Sequence, residues 1–484
     1  MREAGKPGTV VARTPQQPEG EPPARGGLRA LIAKHPTAWL ASALGVAFLL
    51  LGTGAVFAGV AAGSGSSAAP LPAESQVPPR SQPSAVPLAT HLRTCSVAAL
   101  AADQRLVDLS ANVINVSTGE TLFDRNGAQP QRTGSVLKVI TAAAALNVLG
   151  PTTQLTTQVI EGSAPGSIVL KGGGDPTLAT GTTVYTGAAQ MADLARAAMN
   201  SYDAKYPDVP ITSLVLDSTM WDPADNWDSS WLRKEQVDGY QAEVTALMIN
   251  GGRSNASQLV SPRTDDPIGE AGQAFLDAAG LDGVEVTMGA AVGSSVLAEV
   301  KSQPVSTLVN QMLLNSDNVL AESLARVVSR VSGFDGSSTS LGQAIPGALS
   351  PYGLPTTELA IRDGSGLSPD NGVPPSFMSL LMAKIKGGEQ NLGIILSSLP
   401  VSGQSGTLSG RFTGANAIAA GAVVAKTGWL DTEYSLSGIV TAADGTVLAF
   451  TFYAIHEGIT EGAKEALDTL TTGVFTCGNN LSNN

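Results

Sequence analysis

Polarity breaks once, near the start of the chain. From His35 to Ala73 there is no Asp, Glu, Lys or Arg, and residues 37–62 are almost wholly apolar around Val46-Ala47-Phe48-Leu49-Leu50-Leu51. A bilayer span takes about 20 such residues. The 34 residues before the gap carry six cationic and three acidic side chains, and a cationic flank stays on the cytoplasmic side. The pattern predicts a cytoplasmic tail (residues 1–35) and a transmembrane signal anchor (36–62). The rival is a cleaved signal peptide, with Ala61-Ala62-Gly63 as the small residues of its cut site. Against it stand the long polar lead and an apolar run exceeding the roughly 7–15 residues of a secretory h-region. Either way the remainder is exported. Residues 63–91 hold Pro70, Pro72, Pro78, Pro79, Pro83 and Pro87 among Ser, Ala and Gly, a composition that makes an extended tether rather than a core.

Beyond the tether, short apolar runs alternate with helical periodicity. Asn112-Val113-Ile114-Asn115-Val116 and Glu120-Thr121-Leu122-Phe123, separated by Ser117-Thr118-Gly119, read as a hairpin. Thr133-Gly134-Ser135 then leads into an Ala-rich helix, Val136 through Leu146, which ends near Gly150-Pro151. Strand-like runs at 167–170 and 213–216 alternate with helical ones at 188–199 and 269–279, and another helical stretch covers 307–331. The C-terminal part holds strand runs at 422–425, 435–440 and 447–454 and a last helix over 461–471. This order predicts an α+β fold without an internal repeat.

Composition narrows the chemistry. Against 28 Lys+Arg stand 41 Asp+Glu, a formal charge of −13, which argues against nucleic acid as the partner because phosphate neutralisation needs clustered cations. Hydrophobic residues are 43% of the chain, enough to exclude wholesale disorder. The three histidines, His35, His91 and His456, assemble no metal-ligand cluster and leave few candidates for a histidine-based triad. No cofactor is called for. The two cysteines, Cys95 and Cys477, flank the exported part. In an oxidising compartment that even count suggests one disulfide stapling the ends, with two free thiols as the alternative.

Three short motifs carry the candidate chemistry. In Ser135-Val136-Leu137-Lys138, at a helix start, residues i and i+3 share a face, so the amine reaches the hydroxyl. The helix N-terminus favours a developing oxyanion, and a lysine whose pKa is lowered by desolvation and nearby cations is a usable base. Taken singly the motif also reads as an ordinary helix cap. Ser316-Asp317-Asn318 stands ahead of the amphipathic helix Val319 to Arg326, where an N-cap is the plainer reading. Lys426-Thr427-Gly428 directly follows the run Ala422 to Ala425. There Gly lets a substrate backbone lie against the strand, while Lys and a hydroxyl hold a carboxylate; the plainer reading is a strand end.

In that order the three are the set found in penicillin-binding proteins and serine β-lactamases. Ser135 and Ser316 are 181 residues apart, and Ser316 and Lys426 are 110 apart. The first interval implies an inserted domain, since compact class A-like β-lactamases have a far shorter one. Gly172-Gly173-Gly174-Asp175-Pro176-Thr177-Leu178, Asp363-Gly364-Ser365-Gly366-Leu367-Ser368 and Ser405-Gly406-Thr407-Leu408 with Arg411 add to the pattern. Over about residues 95–475 the chain resembles the D-alanyl-D-alanine carboxypeptidase/endopeptidase family, the class C low-molecular-mass penicillin-binding proteins.

The resemblance implies a serine β-lactamase/transpeptidase-like core, an antiparallel sheet flanked by helices, from residues 92–150 and 301–484. An inserted α/β domain would occupy 151–300. It implies attack by Ser135 on the D-Ala–D-Ala carbonyl of peptidoglycan stem peptides, with Lys138 as base. Ser316 and Asn318 would relay the proton to the leaving D-Ala and orient the substrate amide. Lys426 and Thr427 would bind the terminal carboxylate, with Gly428 beside the substrate backbone. The backbone N–H groups of Ser135 and Trp429 would form the oxyanion hole. By position, Glu235 and Tyr240 would contact the stem-peptide side chain, a solvated charge being the alternative for Glu235. Pro369 stands where many members have Arg after the Asp-Gly-Ser-Gly-Leu-Ser string. β-Lactams would act as covalent inhibitors, in a membrane-held enzyme working outside the cytoplasm. Two other functions compete with this one. A β-lactamase-like or esterase hydrolase would need its own deacylating base. A silent wall-binding protein is opposed by the intact motif residues. His456 as a triad base has no Gly-x-Ser-x-Gly partner to serve.

Overall fold

The structure is a computed structural model and describes residues 92–483. The expected tail, anchor and tether lie outside the described residues, and among the described residues no helix is long and apolar enough to cross a membrane.

Along the chain, the hairpin β1 (Asp108–Asn115) and β2 (Thr121–Arg125) leads into α1 (Lys138–Val148). A second group follows: β3 (Thr156–Glu161), β4 (Ser167–Lys171), α2 (Met191–Lys205), β5 (Ser213–Asp217), α3 (Pro267–Ala279), β6 (Glu285–Met288) and β7 (Val296–Lys301). The chain then returns through α4 (Val305–Asn315), α5 (Asn318–Val331), α6 (Leu341–Ala348), α7 (Pro375–Gly387) and α8 (Gly393–Ser398). It closes with β8 (Val423–Leu430), β9 (Glu433–Thr441), β10 (Val447–Ile455) and α9 (Gly462–Cys477).

The first sheet has the order β2-β1-β10-β9-β8, all antiparallel. Its inner strands read as near-continuous apolar or small-residue runs because both faces are covered. Period 2 sorts their side chains between two layers. Leu436, Phe450 and Phe452 face Leu467 and Leu470 of α9, whereas Ile439, Ala449 and Tyr453 face a helical layer built around α1. Every residue of α1 from Lys138 to Leu146 is buried. Alanine suits that position, because it favours helix and its small side chain lets neighbouring helices close in.

The second sheet, β6-β5-β4-β3-β7, is mixed: β4-β5 and β5-β6 pair in parallel, the others antiparallel. Its two crossings are α2 and α3, which pack with it around Leu194, Ala198, Leu214 and Phe275. The segment leaves and returns at one place, where Ser302 N donates to Leu155 O and Val305 N to Thr153 O (both 2.8 Å). It is not wholly separate from the rest, because Tyr185, Trp221, Trp231, Ala242, Val244, Ala246 and Met248 contribute buried side chains to the main core.

Some boundaries differ from those the periodicity suggests. The helical stretch 307–331 is two helices, broken where Ser316 takes φ 58°, ψ 40° and the Asp317 side chain accepts from Leu320 N (3.0 Å) to cap α5. Lys426-Thr427-Gly428 lies within β8 rather than after a strand, because Lys426 pairs with Ser437 and Gly428 with Ser435 on β9. The helix expected over 188–199 begins at Met191 and runs on to Lys205.

The two short strands Cys95–Ser96 and Leu481–Ser482 pair in parallel, and Cys95 and Cys477 form a disulfide with Cα atoms 5.4 Å apart. It closes a loop spanning 382 residues, so most of its stabilisation comes from restricting the unfolded chain. Replacing Cys95 and Cys477 together by Ser is expected to cost roughly 2–4 kcal/mol. Chemical denaturation of the two proteins checks this; unchanged midpoints would show the staple to be idle.

Candidate active site

The nucleophile turn shows why four residues suffice to build a base and its target. Gly134–Leu137 form one turn of 3-10 helix that passes into α1 at Lys138. With three residues per turn, i and i+3 eclipse, which stacks Lys138 over Ser135: Nζ lies 2.7 Å from Ser135 Oγ. Nζ also donates to Asn318 Oδ1 (2.6 Å) and to the carbonyl of Ser365 (2.7 Å). Those two oxygens only accept. A neutral amine has two N–H donors and one lone pair, so the geometry leaves that lone pair for the Ser135 hydroxyl proton.

Lys138 is fully buried. Burial lowers its pKa to about 7, while Asp363, Asp317 and Glu322 pull the other way. Carboxylates therefore weigh most among its charged surroundings, with the Lys426 amine also within Coulombic reach. Lys426 is likewise fully buried and held well below its usual value, first by burial and then by Lys138. Its Nζ donates to Ser316 Oγ (2.8 Å) and to Thr427 O (2.9 Å).

Backbone approach is as tight as the side-chain contacts. A Cβ on Gly428 would sit 2.6 Å from Thr133 O and 3.0 Å from Ser135 N; one on Gly134 (φ +47°) would sit 2.9 Å from Trp429 N. The N–H groups of Ser135 and Trp429 are thus neighbours, the arrangement an oxyanion hole needs. Third in the cluster is Gly366 (φ +82°), whose Cβ would lie 1.9 Å from Gly134 O.

Ser135, Ser316, Asn318, Thr427, Gly428, Trp429, Glu235 and Tyr240 all line one cleft of about 950 Å³. Tyr240 meets Trp429 edge to face, ring centres 6.2 Å apart. Lys234 Nζ reaches Asp431 Oδ2 at 2.5 Å, so this stretch of the inserted segment straps across to the β8–β9 turn. Burial raises the Glu235 carboxyl. Pro369 lines the same cleft, and His456 does not. Among the described residues, no group of three or more His, Cys, Asp or Glu is placed to hold a metal.

Sequence reasoning assigned no role to several groups that complete the site. Ser365 contributes a carbonyl, which no side-chain pattern announces. Asp363 holds that loop, accepting from Ser365 N, Gly366 N, Ser368 N, Asn371 Nδ2 and Trp231 Nε1 (2.7–3.1 Å). Glu322 accepts from Gly364 N (2.6 Å) and pairs with Arg326. Thr407 Oγ1 lies 2.8 Å from Thr427 Oγ1. Only the Asp363 to Ser368 and Ser405 to Leu408 strings hinted at them.

A serine hydroxyl against a buried amine, a paired serine and lysine opposite, and two N–H groups beside the nucleophile define a serine acyl-transfer enzyme. Its fold matches that of penicillin binding protein 4 from Haemophilus influenzae (TM-score 0.63, 20% identity, 78% of this chain and 97% of that one). The chain belongs to the D-Ala-D-Ala carboxypeptidase 3 (S13) family, whose model matches residues 94–261 and 253–473. Similar curated proteins include carboxypeptidase DacB of Mycolicibacterium smegmatis, 34% identical over 92% of this chain and 99% of that one. A carboxypeptidase of Mycobacterium tuberculosis is 33% identical over 80% and 84%.

Two outcomes are expected from this geometry. The rate of Ser135 acylation by a penicillin should climb as pH rises through about 7 and then level off, because Lys138 must be neutral to accept the proton. A flat profile between pH 5 and 9 would contradict that role. Gly428→Ala places a methyl 2.6 Å from the Thr133 carbonyl; displacing the turn should slow acylation by roughly 100-fold, measurable with a fluorescent penicillin.

Proposed function

We propose that this chain is a serine D-Ala-D-Ala carboxypeptidase acting on peptidoglycan stem peptides in cell-wall metabolism, with an acyl-enzyme on Ser135. The observation that carries the reading is the Lys138 amine, buried and placed between Ser135 Oγ and two acceptor-only oxygens. Ser135 Oγ attacks the carbonyl of the penultimate D-Ala as its proton passes to Lys138 Nζ. The oxyanion forms against the N–H groups of Ser135 and Trp429. Collapse breaks the peptide bond, and the terminal D-Ala leaves as the amine after taking a proton relayed through Ser316. Lys426 and Thr427 hold its carboxylate. Asn318 orients the substrate amide, and water then releases the shortened peptide from Ser135. Glu235 and Tyr240 contact the stem-peptide side chain beside Trp429.

A β-lactam follows the same first step. Its leaving nitrogen stays tethered to the acyl group and keeps water out, so the adduct persists. The acylation chemistry extends to cross-linked muropeptides, where the leaving amine belongs to a second stem. In the same reading residues 36–62 anchor the enzyme and the catalytic part lies outside the cytoplasmic membrane; the apolar run and the Cys95–Cys477 pair support this. Deleting residues 1–62 should then release the protein from the membrane fraction, and continued sedimentation with membranes would overturn the anchor.

The deciding test gives full-length protein a pentapeptide ending in D-Ala–D-Ala, or a cross-linked dimer, with and without penicillin. Free D-Ala and the intact mass are followed. Penicillin-blocked release with a stable adduct, both lost in Ser135→Ala, is the expected result. A rapidly hydrolysed adduct points to a β-lactamase, and no product or adduct from folded protein points to a non-catalytic wall-binding role.

A further inference from the structure

The inserted segment reaches the second motif through a buried ion pair. Arg253 Nη2 donates to Asp317 Oδ2 at 2.7 Å, and the two side chains are 2% and 3% exposed. Tyr185, also in the inserted segment, completes a triangle: its OH donates to the same Oδ2 (2.9 Å) and accepts from Arg253 Nη1 (2.7 Å). The guanidinium lies 4.9 Å from the centre of the Tyr185 ring. Arg253 is itself fixed, since Nε donates to Leu259 O (3.2 Å) and Nη1 also reaches Asn250 O (3.3 Å).

We propose that Arg253 is a positioning residue for Ser316 and Asn318, acting through Asp317, so that the inserted segment aligns the second motif with the lysine base. The inference rests on the Ser135–Lys138 reading above. Asp317 divides its carboxylate between the two parts of the protein. Oδ1 caps α5 at Leu320 N, and Oδ2 is held by Arg253 and Tyr185. On either side of it stand the groups the reaction uses. Ser316 sits in a left-handed conformation, φ 58°, which a non-glycine residue keeps only when its surroundings impose it. Its Oγ is the acceptor of Lys426 Nζ, and Asn318 Oδ1 is an acceptor of Lys138 Nζ. A turn of the peptide at Asp317 would move both contacts at once. Arginine suits the task where lysine does not, because its fork serves Asp317 Oδ2 and Tyr185 OH from two nitrogens in a fixed plane.

The test compares full-length wild type with Arg253→Lys and with the double variant Arg253→Met, Asp317→Asn, which removes both charges of the pair together, while the buried Arg263 beside it keeps its bonds to Gly239 O and Gly251 O. Acylation of Ser135 by a fluorescent penicillin is resolved into reversible affinity and acylation rate constant, alongside a thermal melt. The expected result is a fall of about 10- to 100-fold in the rate constant of the double variant. Its reversible affinity should change less than threefold and its melt should stay cooperative. Arg253→Lys should lie in between. A double variant that folds and acylates at the wild-type rate would overturn the proposal, as would a loss confined to affinity. Should the double variant not fold, Arg253→Lys decides alone, and a wild-type acylation rate there overturns the proposal equally. If wild-type Ser135 takes no label, it is the underlying nucleophile assignment that has failed.

Discussion

A lysine amine is held in the core without a carboxylate in direct contact, and the site is arranged around that constraint. Lys138 is fully buried, and its lowering from 10.5 to about 7 corresponds to roughly 5 kcal/mol against the ammonium form. The folded pKa lies below the unfolded one. Its cost to folding is therefore fully present below about pH 7 and fades as pH rises toward 10.5. The fold tolerates this because the neutral amine is fully satisfied: two donors meet Asn318 Oδ1 and Ser365 O, and the lone pair meets Ser135. Each neighbour comes from a different stretch of chain. The base is defined by how α1, the start of α5 and the Asp363–Ser368 loop are brought together, rather than by the Ser-x-x-Lys spacing alone.

That convergence explains where the glycines and buried acids fall. Thr133 to Ser135, Gly428 and Gly366 approach so closely that no side chain fits between them. Behind the loop, Asp363 takes up five N–H donors. The Gly364 peptide is gripped at both ends, its N–H by Glu322 and its carbonyl by Thr141 Oγ1. Arg326, itself buried, pairs with Glu322 and reaches Asp225 of the inserted segment. These buried groups act at one remove: they orient the Ser365 carbonyl, and that carbonyl orients the amine. Low dielectric strengthens each of these bonds and makes an unpaired group costly, and Arg326 Nη2 is buried here without a hydrogen-bond partner.

Much of this was legible from the chain. Ser135, Lys138, Ser316, Asn318, Lys426 and Thr427 were nameable because side-chain chemistry needs particular residue types at fixed offsets, and the structure gathers them in and around one cleft. The strands of the first sheet were legible because burial on both faces leaves apolar runs. What could not be read was contact between distant stretches. A backbone carbonyl such as that of Ser365 has no sequence signature, and a buried Arg253 looks like a surface cation until its partner is known. The break at Ser316 was half legible: the N-cap reading of Ser316-Asp317-Asn318 agrees with the Asp317 cap on α5. The helical period over 307–331 gave no sign of the left-handed residue that ends α4 there.

The stretch between Ser135 and Ser316 therefore does more than separate two motifs. Sheet residues such as Leu214 and Phe275 form their own core with α2 and α3. Tyr185, Trp221, Trp231 and Arg253 turn back to the main core, where Trp231 Nε1 donates to Asp363 and Arg253 to Asp317. Lys234 and Tyr240 meet Asp431 and Trp429 across the cleft. One insertion thus touches the loop carrying Ser365, the second motif and the strand carrying the third. An insertion tied only by its hinge would tolerate rigid-body motion against the active site. This one is joined by buried, charge-assisted bonds to the elements that place the amine, so moving it would displace Asn318 and Ser365 from Lys138. The strap and the Lys138 amine are mechanically part of the same assembly.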